Sequence, residues 1–204
     1  ASPLEAVHLA NVAGGLEVEK FGATPILWDE VACDLLAELR KRGTKVYARE
    51  RLLTQLQRHR RAGRKVVFTN GCFDLLHVGH VDLLRFCKQS GDVVVVGLNS
   101  DASVRRNKGP SRPVLNQQER AGLLEAVEYV DYIVIFDEVD PHGLIEQIRP
   151  EILVKGQDYT GKWVCGQEFV ESYGGAVLLA PLRTGYSTTN VIQRIETCNG
   201  NGGQ

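Results

Sequence analysis

Several features that would assign a protein to a class at once are missing from this chain. Its 204 residues include no methionine, and its five cysteines are an odd, widely spaced set without a CxxC pair. Thiols arranged in this way favour a reducing compartment, the cytoplasm, over a disulfide framework. Because no initiator methionine is present, we expect the sequence to be a piece of a longer protein.

The sequence also lacks long apolar runs and an excess of charge. No stretch is long enough to cross a membrane and no signal peptide is visible, so we expect no membrane partner. Lys and Arg total 24 against 25 Asp and Glu, a net charge of -1, which gives no argument for nucleic-acid binding. Any anion-binding site must therefore be built locally, within one core and a small appendage.

What the chain does contain is a regular alternation of strand and helix patterns. The apolar, β-branched run 66–69 predicts a buried strand, Asn70-Gly71 a turn, and the residues from His77 onward a helix. Later strands are predicted at 92–98, 132–136, 152–155 and 176–179, with helical patterns between them. This alternation predicts a Rossmann-like α/β fold with a mainly parallel sheet and helices on both faces.

The junction between the first strand and its helix predicts an anion site. His77 and His80 are three residues apart, so they share one helix face, and Gly79 allows close approach of a ligand to the backbone. Helix N-termini at the carboxyl ends of parallel strands bind phosphate. Two incidental histidines are one alternative. A pair of zinc ligands is another alternative, although zinc would be expected to use i, i+4 spacing and accompanying cysteines. The sequence does not identify the ligands of any metal.

Three further polar segments have two interpretations each. Asn99, Ser100 and Asp101 follow the second strand and either cap a helix or face the ligand. Residues 104–112 are predicted to be a polar loop, either merely solvated or holding phosphate through Lys108 and Arg112. Residues 187–189, near the start of the last predicted helix, either cap that helix or bind the ligand.

The stretch 69–80, TNGCFDLLHVGH, resembles the HxGH signature of the nucleotidylyltransferase superfamily, in its cytidylyltransferase-like branch. Four later blocks follow in the order typical of that family: GLNSD at 97–101, KGPSRP at 108–113, LVKGQDY at 153–159 and YSTT at 186–189. Together they most resemble adenylyltransferases that make ADP-heptose from heptose 1-phosphate. The resemblance covers about residues 65–195 and departs from the family at Gln157, where glycine is more usual.

The resemblance implies transfer of AMP from ATP to a sugar 1-phosphate, with Mg²⁺ accompanying the ATP. It implies that His77, His80 and Lys108 are catalytic, and that Lys108, Arg112, Arg120, Ser187 and Thr188 hold the outer phosphates. For Arg120 a surface salt bridge is the structural alternative. The complete set of residues that it assigns to the nucleotide is Thr69, Asn70, Gly71, Cys72, Phe73, Gly79, Asn99, Asp101, Arg112, Arg120, Lys155, Asp158, Ser187, Thr188 and Thr189.

The beginning of the chain resembles a different protein, the closing helix and strand of a ribokinase-like sugar kinase. We therefore expect a kinase-like remnant and linker helix at 1–45, a connecting helix at 46–63, the nucleotidylyltransferase domain at 64–196 and a disordered tail at 197–204. The phosphoryl-transfer segment of such a kinase is absent from this sequence, so we expect no kinase activity. The chain is expected to lie in or beside a sugar kinase and to form a homodimer.

Two rival functions remain open at this point. A related enzyme such as a CTP:glycerol-3-phosphate cytidylyltransferase would share the HxGH motif, because base choice depends on a few loop contacts. The KGPSRP and VKGQDY blocks and the kinase-like beginning favour the heptose enzyme. A nucleotide-binding module that has lost catalysis is the second rival, but the intact His77, Gly79 and His80 argue against it.

Overall fold

The computed structural model describes residues 43–181, together with Thr188 and Thr197. The chain divides into two compact units, Ala1–Thr44 and Lys45–Gln204. Everything below concerns the second unit. Residues 1–42 of the predicted kinase-like segment, almost all of the last predicted helix and residues 198–204 of the predicted tail lie outside the described residues.

Strands and helices alternate through the described part of the second unit. Its first half contains α1 Arg49–Arg61, β1 Val66–Gly71, α2 Val78–Ser90, β2 Val93–Asn99, α3 Asp101–Lys108 and α4 Gln117–Glu125. Its second half contains β3 Tyr132–Phe136, α5 His142–Ile148, β4 Ile152–Gly156, α6 Gln167–Ser172 and β5 Ala176–Ala180. A 3₁₀ turn, Gln157–Tyr159, follows β4 directly.

The five strands form one parallel sheet in the order β3-β2-β1-β4-β5, and the predicted Rossmann-like α/β fold is confirmed. Apolar side chains cover both faces, as expected for a parallel sheet. One cluster includes Leu52, Phe68 and Ile145 and packs beneath α1 and α5. The other includes Val67 and Leu84 and packs beneath α2 and α4. The strand order reverses between β1 and β4, which places a topological switch point there.

Two local predictions differ from the structure. Asn70 and Gly71 do not form a turn but continue β1, because their backbones pair with β2 opposite Gly97 and Leu98. Part of the predicted loop 104–112 is helical, since α3 runs to Lys108 and only the residues after it form a loop.

The start of α3 explains why that segment is helical. The Ser100 hydroxyl accepts a hydrogen bond from the Ser103 backbone N–H at 3.1 Å, so the capping interpretation of Ser100 is confirmed. Val104 is fully buried and anchors the inner face. In the turn after β4, Gln157 has no left-handed backbone conformation, so a glycine is not required there.

A short segment before α1 extends the sheet beyond β3. Val46 forms a parallel bridge with Ile133, whose N–H donates to the Lys45 carbonyl at 2.7 Å. The Tyr47 N–H donates in turn to the Ile133 carbonyl at 2.8 Å, and the Lys45 ammonium donates to the Val127 carbonyl at 2.8 Å. These bonds occupy the edge of β3, which would otherwise offer unpaired backbone groups to another chain.

Candidate active site

Most of the predicted site residues that the structure describes lie at the carboxyl edge of the sheet, where β1 and β4 separate. Their ladder joins Val67 to Ile152 and Phe68 to Leu153 and then ends, although both strands continue. Two residues further on, side chains replace the ladder: the Lys155 ammonium donates to Asn70 Oδ1 at 2.5 Å. Ligands of open α/β sheets bind in a crevice of this kind, at the switch point.

The two histidines stack at the start of α2. Their ring centroids are 3.8 Å apart with an interplanar angle of 22°. His77 is the extended N-cap residue, and its backbone N–H lies 3.4 Å from Nδ1 of His80. Because Nδ1 accepts in this arrangement, the proton of a neutral His80 ring lies on Nε2, which is then a donor for a ligand.

The surroundings of the pair oppose a positive charge. Burial lowers the pKa of His77. Burial and the neighbouring His77 lower the pKa of His80 to about 4. Phe73, whose ring centroid lies 5.0 Å from that of His80, supplies part of the apolar wall. The ligand-free pair is therefore neutral at pH 7.

Two buried polar atoms, one in β1 and one in the pair itself, lack a hydrogen-bond partner within the described part of the chain: Thr69 Oγ1 and His77 Nδ1. Thr69 is fully buried near the end of β1, on the same face of the strand as Val67. A buried polar atom without a partner costs about 1–3 kcal/mol, so a ligand that bonded these atoms would recover free energy. This is the position where phosphate was predicted.

The buried Arg120 side chain bonds protein acceptors, whereas the sequence predicted that it would face a phosphate. It is fully buried, so the alternative of a surface salt bridge is also wrong. Its guanidinium donates to the Leu115, Cys72 and Asn99 carbonyls at 3.0, 2.6 and 2.8 Å, and to the Asp101 carboxylate at 2.7 Å. These bonds fix α4 to the ends of β1 and β2.

Arg112 and Asp74 fix the loop that follows α3. The Arg112 Nε donates to the buried Asp74 carboxylate, which also accepts from the backbone N–H groups of Val114 and Leu115. Asp74 was not predicted, and its only signal was a charged residue inside the apolar run FDLL. The pair holds the KGPSRP loop against the residues that follow β1.

The remaining predicted residues divide between the crevice and its borders. Asn99 is buried and donates to the Ser103 hydroxyl at 3.0 Å, and Asp101 is held by Arg120, so both have structural partners. Gly79 is buried inside α2. A side chain at Gly71 would meet the Phe73 ring, at 3.2 Å from a Cβ.

Lys108 and Asp158 are exposed at the border of the crevice. Burial raises the pKa of Cys72, while the charges of Lys108, Arg120 and Arg112 oppose that rise, which places these cations near the end of β1. Thr188 has helical backbone and is half-buried, whereas Ser187 and Thr189 lie outside the described residues.

The residues present do not form a ready magnesium site. Between residues 43 and 181 there is no group of three His, Cys, Asp or Glu side chains able to hold a metal ion. The carboxylates of Asp74 and Asp101 are already paired with arginines. A separate finding concerns membranes: no helix in the described part of the chain has the length and apolarity needed to span one.

Comparison with known proteins identifies the family. A family model described as cytidylyltransferase-like matches residues 68–194, more than half of the chain. The chain belongs to this family. The matched region of this chain begins within β1 and includes the whole crevice, from the histidine pair to Lys155.

Curated relatives of this cytidylyltransferase-like chain are named "Bifunctional protein HldE". That of Syntrophotalea carbinolica is 51% identical over 94% of this chain, and that of Caulobacter vibrioides is 48% identical over 97%. The chain spans only 39% and 41% of the lengths of these two relatives. A solved structure titled as the lipopolysaccharide core biosynthesis protein from Thermoplasma volcanium aligns with 61% of this chain at 28% identity, with a TM-score of 0.49.

Proposed function

We propose that this cytidylyltransferase-like chain transfers AMP from MgATP to heptose 1-phosphate. The products are ADP-heptose, a precursor of the lipopolysaccharide core, and pyrophosphate, and the reaction takes place in the cytoplasm. The observation that carries the proposal is the stacked pair of His77 and His80 at a helix N-terminus on the switch point. The family match supports nucleotidyl transfer, and the resemblance of four later blocks to heptose adenylyltransferases supports the choice of substrates.

The proposed reaction is a direct displacement at the α-phosphorus of ATP. A phosphate oxygen of the sugar 1-phosphate attacks, forming a new P–O bond. The bond from the α-phosphorus to the oxygen bridging to the β-phosphorus breaks, and pyrophosphate leaves with the electron pair. No covalent enzyme intermediate is needed, so catalysis consists of positioning and of stabilising charge on the phosphate oxygens.

Neutral imidazoles are suited to this task as hydrogen-bond donors. His80 would donate from Nε2 to the α-phosphate, and this bond strengthens as negative charge grows in the transition state. His77, whose buried Nδ1 has no partner among the described residues, would bond a neighbouring phosphate oxygen. Lys108, Arg112, Ser187 and Thr188 would hold the β- and γ-phosphates.

The magnesium ion is proposed to arrive as part of the MgATP substrate. Its ligands would be phosphate oxygens and water, since Mg²⁺ keeps several waters and takes few protein ligands.

The whole protein is proposed to contain more than this reaction. The relatives are named bifunctional, and the chain covers about two fifths of their length. A sugar kinase domain that supplies the 1-phosphate is the proposed second activity, as the resemblance of residues 5–26 to a kinase suggests. The assembly is proposed to be a homodimer.

Transfer of CMP from CTP to glycerol 3-phosphate is the second candidate. It is favoured by one observation, the cytidylyltransferase-like description of the family model. Both reactions would use His77 and His80 in the same way, so the histidine pair does not separate them.

A pyrophosphate-release assay tests the proposal. ATP and CTP are each combined with heptose 1-phosphate and with glycerol 3-phosphate, and H80N serves as the inactive control. We expect turnover with ATP and heptose 1-phosphate. Turnover with CTP and glycerol 3-phosphate alone would establish the second candidate. Nucleotide binding with no turnover of any pair would make the chain a binding module.

A further inference from the structure

Lys155 is a buried cation at the end of β4. Its side chain is only 7% exposed, and its ammonium bonds a neutral partner, Asn70, through Oδ1 at 2.5 Å and the carbonyl at 3.5 Å. Within the described residues no carboxylate forms an ion pair with it. Buried lysines are normally paired, because an uncompensated buried charge is costly.

The groups around Lys155 do not supply that compensation. The Tyr159 ring centroid lies 5.4 Å from the ammonium, and Asp158, Cys72 and Cys165 act on it only from a distance. Asp158 is exposed to solvent, and burial raises the pKa of both thiols, which keeps them neutral at pH 7. Burial therefore dominates and lowers the pKa of Lys155 to about 8.

Lys155 and the histidine pair lie on opposite faces of the sheet edge. Side chains alternate along a strand, so Asn70 shares the face of Phe68, and Lys155 that of Leu153, on the side of α1 and α5. Thr69 shares the face of Val67, on the side of α2. The crevice thus has two separate polar positions, one on each face of the sheet.

We propose that Lys155 binds the phosphate of the acceptor, the sugar 1-phosphate, rather than a phosphate of the nucleotide. This rests on the proposed function, in which two anions must meet. The donors at the start of α2 suit the α-phosphate of ATP. An acceptor phosphate held from the opposite face of the sheet edge enters from the other side of the α-phosphorus, as in-line attack requires.

The proposal explains why a neutral hydrogen-bond partner accompanies a buried charge. Asn70 holds the ammonium in place before the acceptor binds, without forming an ion pair that the phosphate would have to break. A carboxylate in its place would neutralise Lys155 and would also repel a dianionic acceptor. Lys155 is therefore a binding residue whose counterion is the substrate.

Two substitutions, K155M and K155R, test the proposal, with K162M as a matched control at an exposed lysine. A hydrogen bond to a charged group contributes about 1.5–3 kcal/mol, so K155M should raise the KM for the acceptor by roughly 10- to 100-fold. The KM for ATP should change by less than about threefold, since only uniform acceptor binding is lost. K155R should restore part of the acceptor affinity, and K162M should change neither KM. A larger rise in the KM for ATP than for the acceptor would overturn the proposal.

The pH dependence supplies a readout that a merely structural lysine would not move. Because the pKa of free Lys155 is about 8, the ammonium is lost as pH rises above that value. The acceptor KM of the wild type should therefore increase between pH 7 and pH 9.5. In K155R the arginine stays charged, so its acceptor KM should stay flat. Equal pH dependence in the two proteins would contradict the proposal.

Failure of the proposed function leaves this test intact. If the wild type uses another nucleotide or acceptor, the same KM comparison is made with the pair that it does use. If it releases no pyrophosphate with any pair, calorimetric titration with heptose 1-phosphate replaces kinetics. Weaker binding to K155M than to the wild type would support the role of Lys155. Equal binding, or no binding to the wild type, would overturn it.

Discussion

His80 lies where a positive charge is disfavoured, between the ring of His77 and the ring of Phe73. A side chain in this position stabilises developing negative charge through a donated hydrogen bond and not through a charge of its own. The distinction matters for kinetics, because a hydrogen bond that strengthens in the transition state affects turnover more than substrate affinity.

Replacing His80 with asparagine should therefore reduce kcat on the order of 10²-fold or more, the scale of losing one oxyanion-type donor. The KM for ATP should change much less. Steady-state kinetics with varied ATP measures both, and circular dichroism verifies that the variant is folded. A variant with near-normal kcat and a greatly raised KM would instead show that His80 binds the ground state.

The same substitution should change stability in acid. The pKa of His80 is about 4 in the folded chain, against 6.5 for an ordinary histidine. Between these values the unfolded state binds more protons, so the free energy of unfolding falls as pH decreases through this window. From pH 7 to pH 4.5 the wild type should lose on the order of 2 kcal/mol more than H80N. Urea unfolding at both pH values measures the difference, and equal losses would mean that His80 titrates normally.

At the scale of elements, Arg120 connects one helix to two strands. A fully buried guanidinium with four protein acceptors leaves those acceptors unsatisfied when it is removed. R120M should lower the free energy of unfolding by about 3–5 kcal/mol, the cost of breaking a buried ion pair. R105M removes an exposed arginine and should stay within about 0.5 kcal/mol of the wild type.

Urea denaturation at pH 7 tests both arginine variants. If R120M kept native stability and only raised the KM for ATP, the triphosphate role predicted from the sequence would be correct after all. Activity alone does not separate the two roles, because a displaced α4 would also disturb the residues after β1.

The difference between His80 and Arg120 shows what local sequence reveals. The histidines are three residues apart, with His77 at the N-cap and His80 in the first turn of α2, so the local geometry of a helix start brings them together. Arg120 bonds Cys72 and Asp101, which are 48 and 19 residues away, and those contacts exist only after α4 packs on the ends of β1 and β2. No periodicity within α4 predicts which acceptors it will meet.

The same reasoning applies to α3. Its polar, basic sequence has low hydrophobicity and predicts a loop, but Val104 is fully buried and Ser100 caps the first turn. Tertiary packing of one apolar side chain outweighed the polarity of the rest. The contact between Asn70 and Lys155 could not be predicted either, because strand order and register bring together these two residues, which are 85 positions apart in the sequence.

At the scale of the molecule, the alternation of patterns was sufficient to predict the α/β fold, while the edge of the sheet was not predicted. Lys45 and Val46 fall at the predicted boundary between a linker and a connecting helix, yet in the structure they pair with β3. Three residues are too few to show a strand period, so their pairing partner decides their conformation.

This pairing makes a prediction about truncation. A protein starting at Gly43 should keep its stability and activity, because no predicted site residue precedes Thr69. One starting at Tyr47 should melt at a lower temperature and associate with other copies, since it loses the bonds of Lys45 and exposes the edge of β3. Thermal melts and size-exclusion chromatography compare the two. Equal melting temperatures would show that the pairing contributes nothing, and inactivity of a folded Gly43 protein would show that earlier residues belong to the site.

The short ladder between β1 and β4 also affects how the sheet moves. It joins two residue pairs, whereas the ladder between β1 and β2 joins six. The sheet therefore consists of a three-stranded part, β3-β2-β1, and a two-stranded part, β4-β5, which are joined by a short ladder. Local opening costs least free energy where the fewest backbone bonds break, so we expect the sheet to open first between β1 and β4. The hydrogen bond from Lys155 to Asn70 crosses this junction, so such an opening would separate Lys155 from β1 and change its distance from the histidine pair.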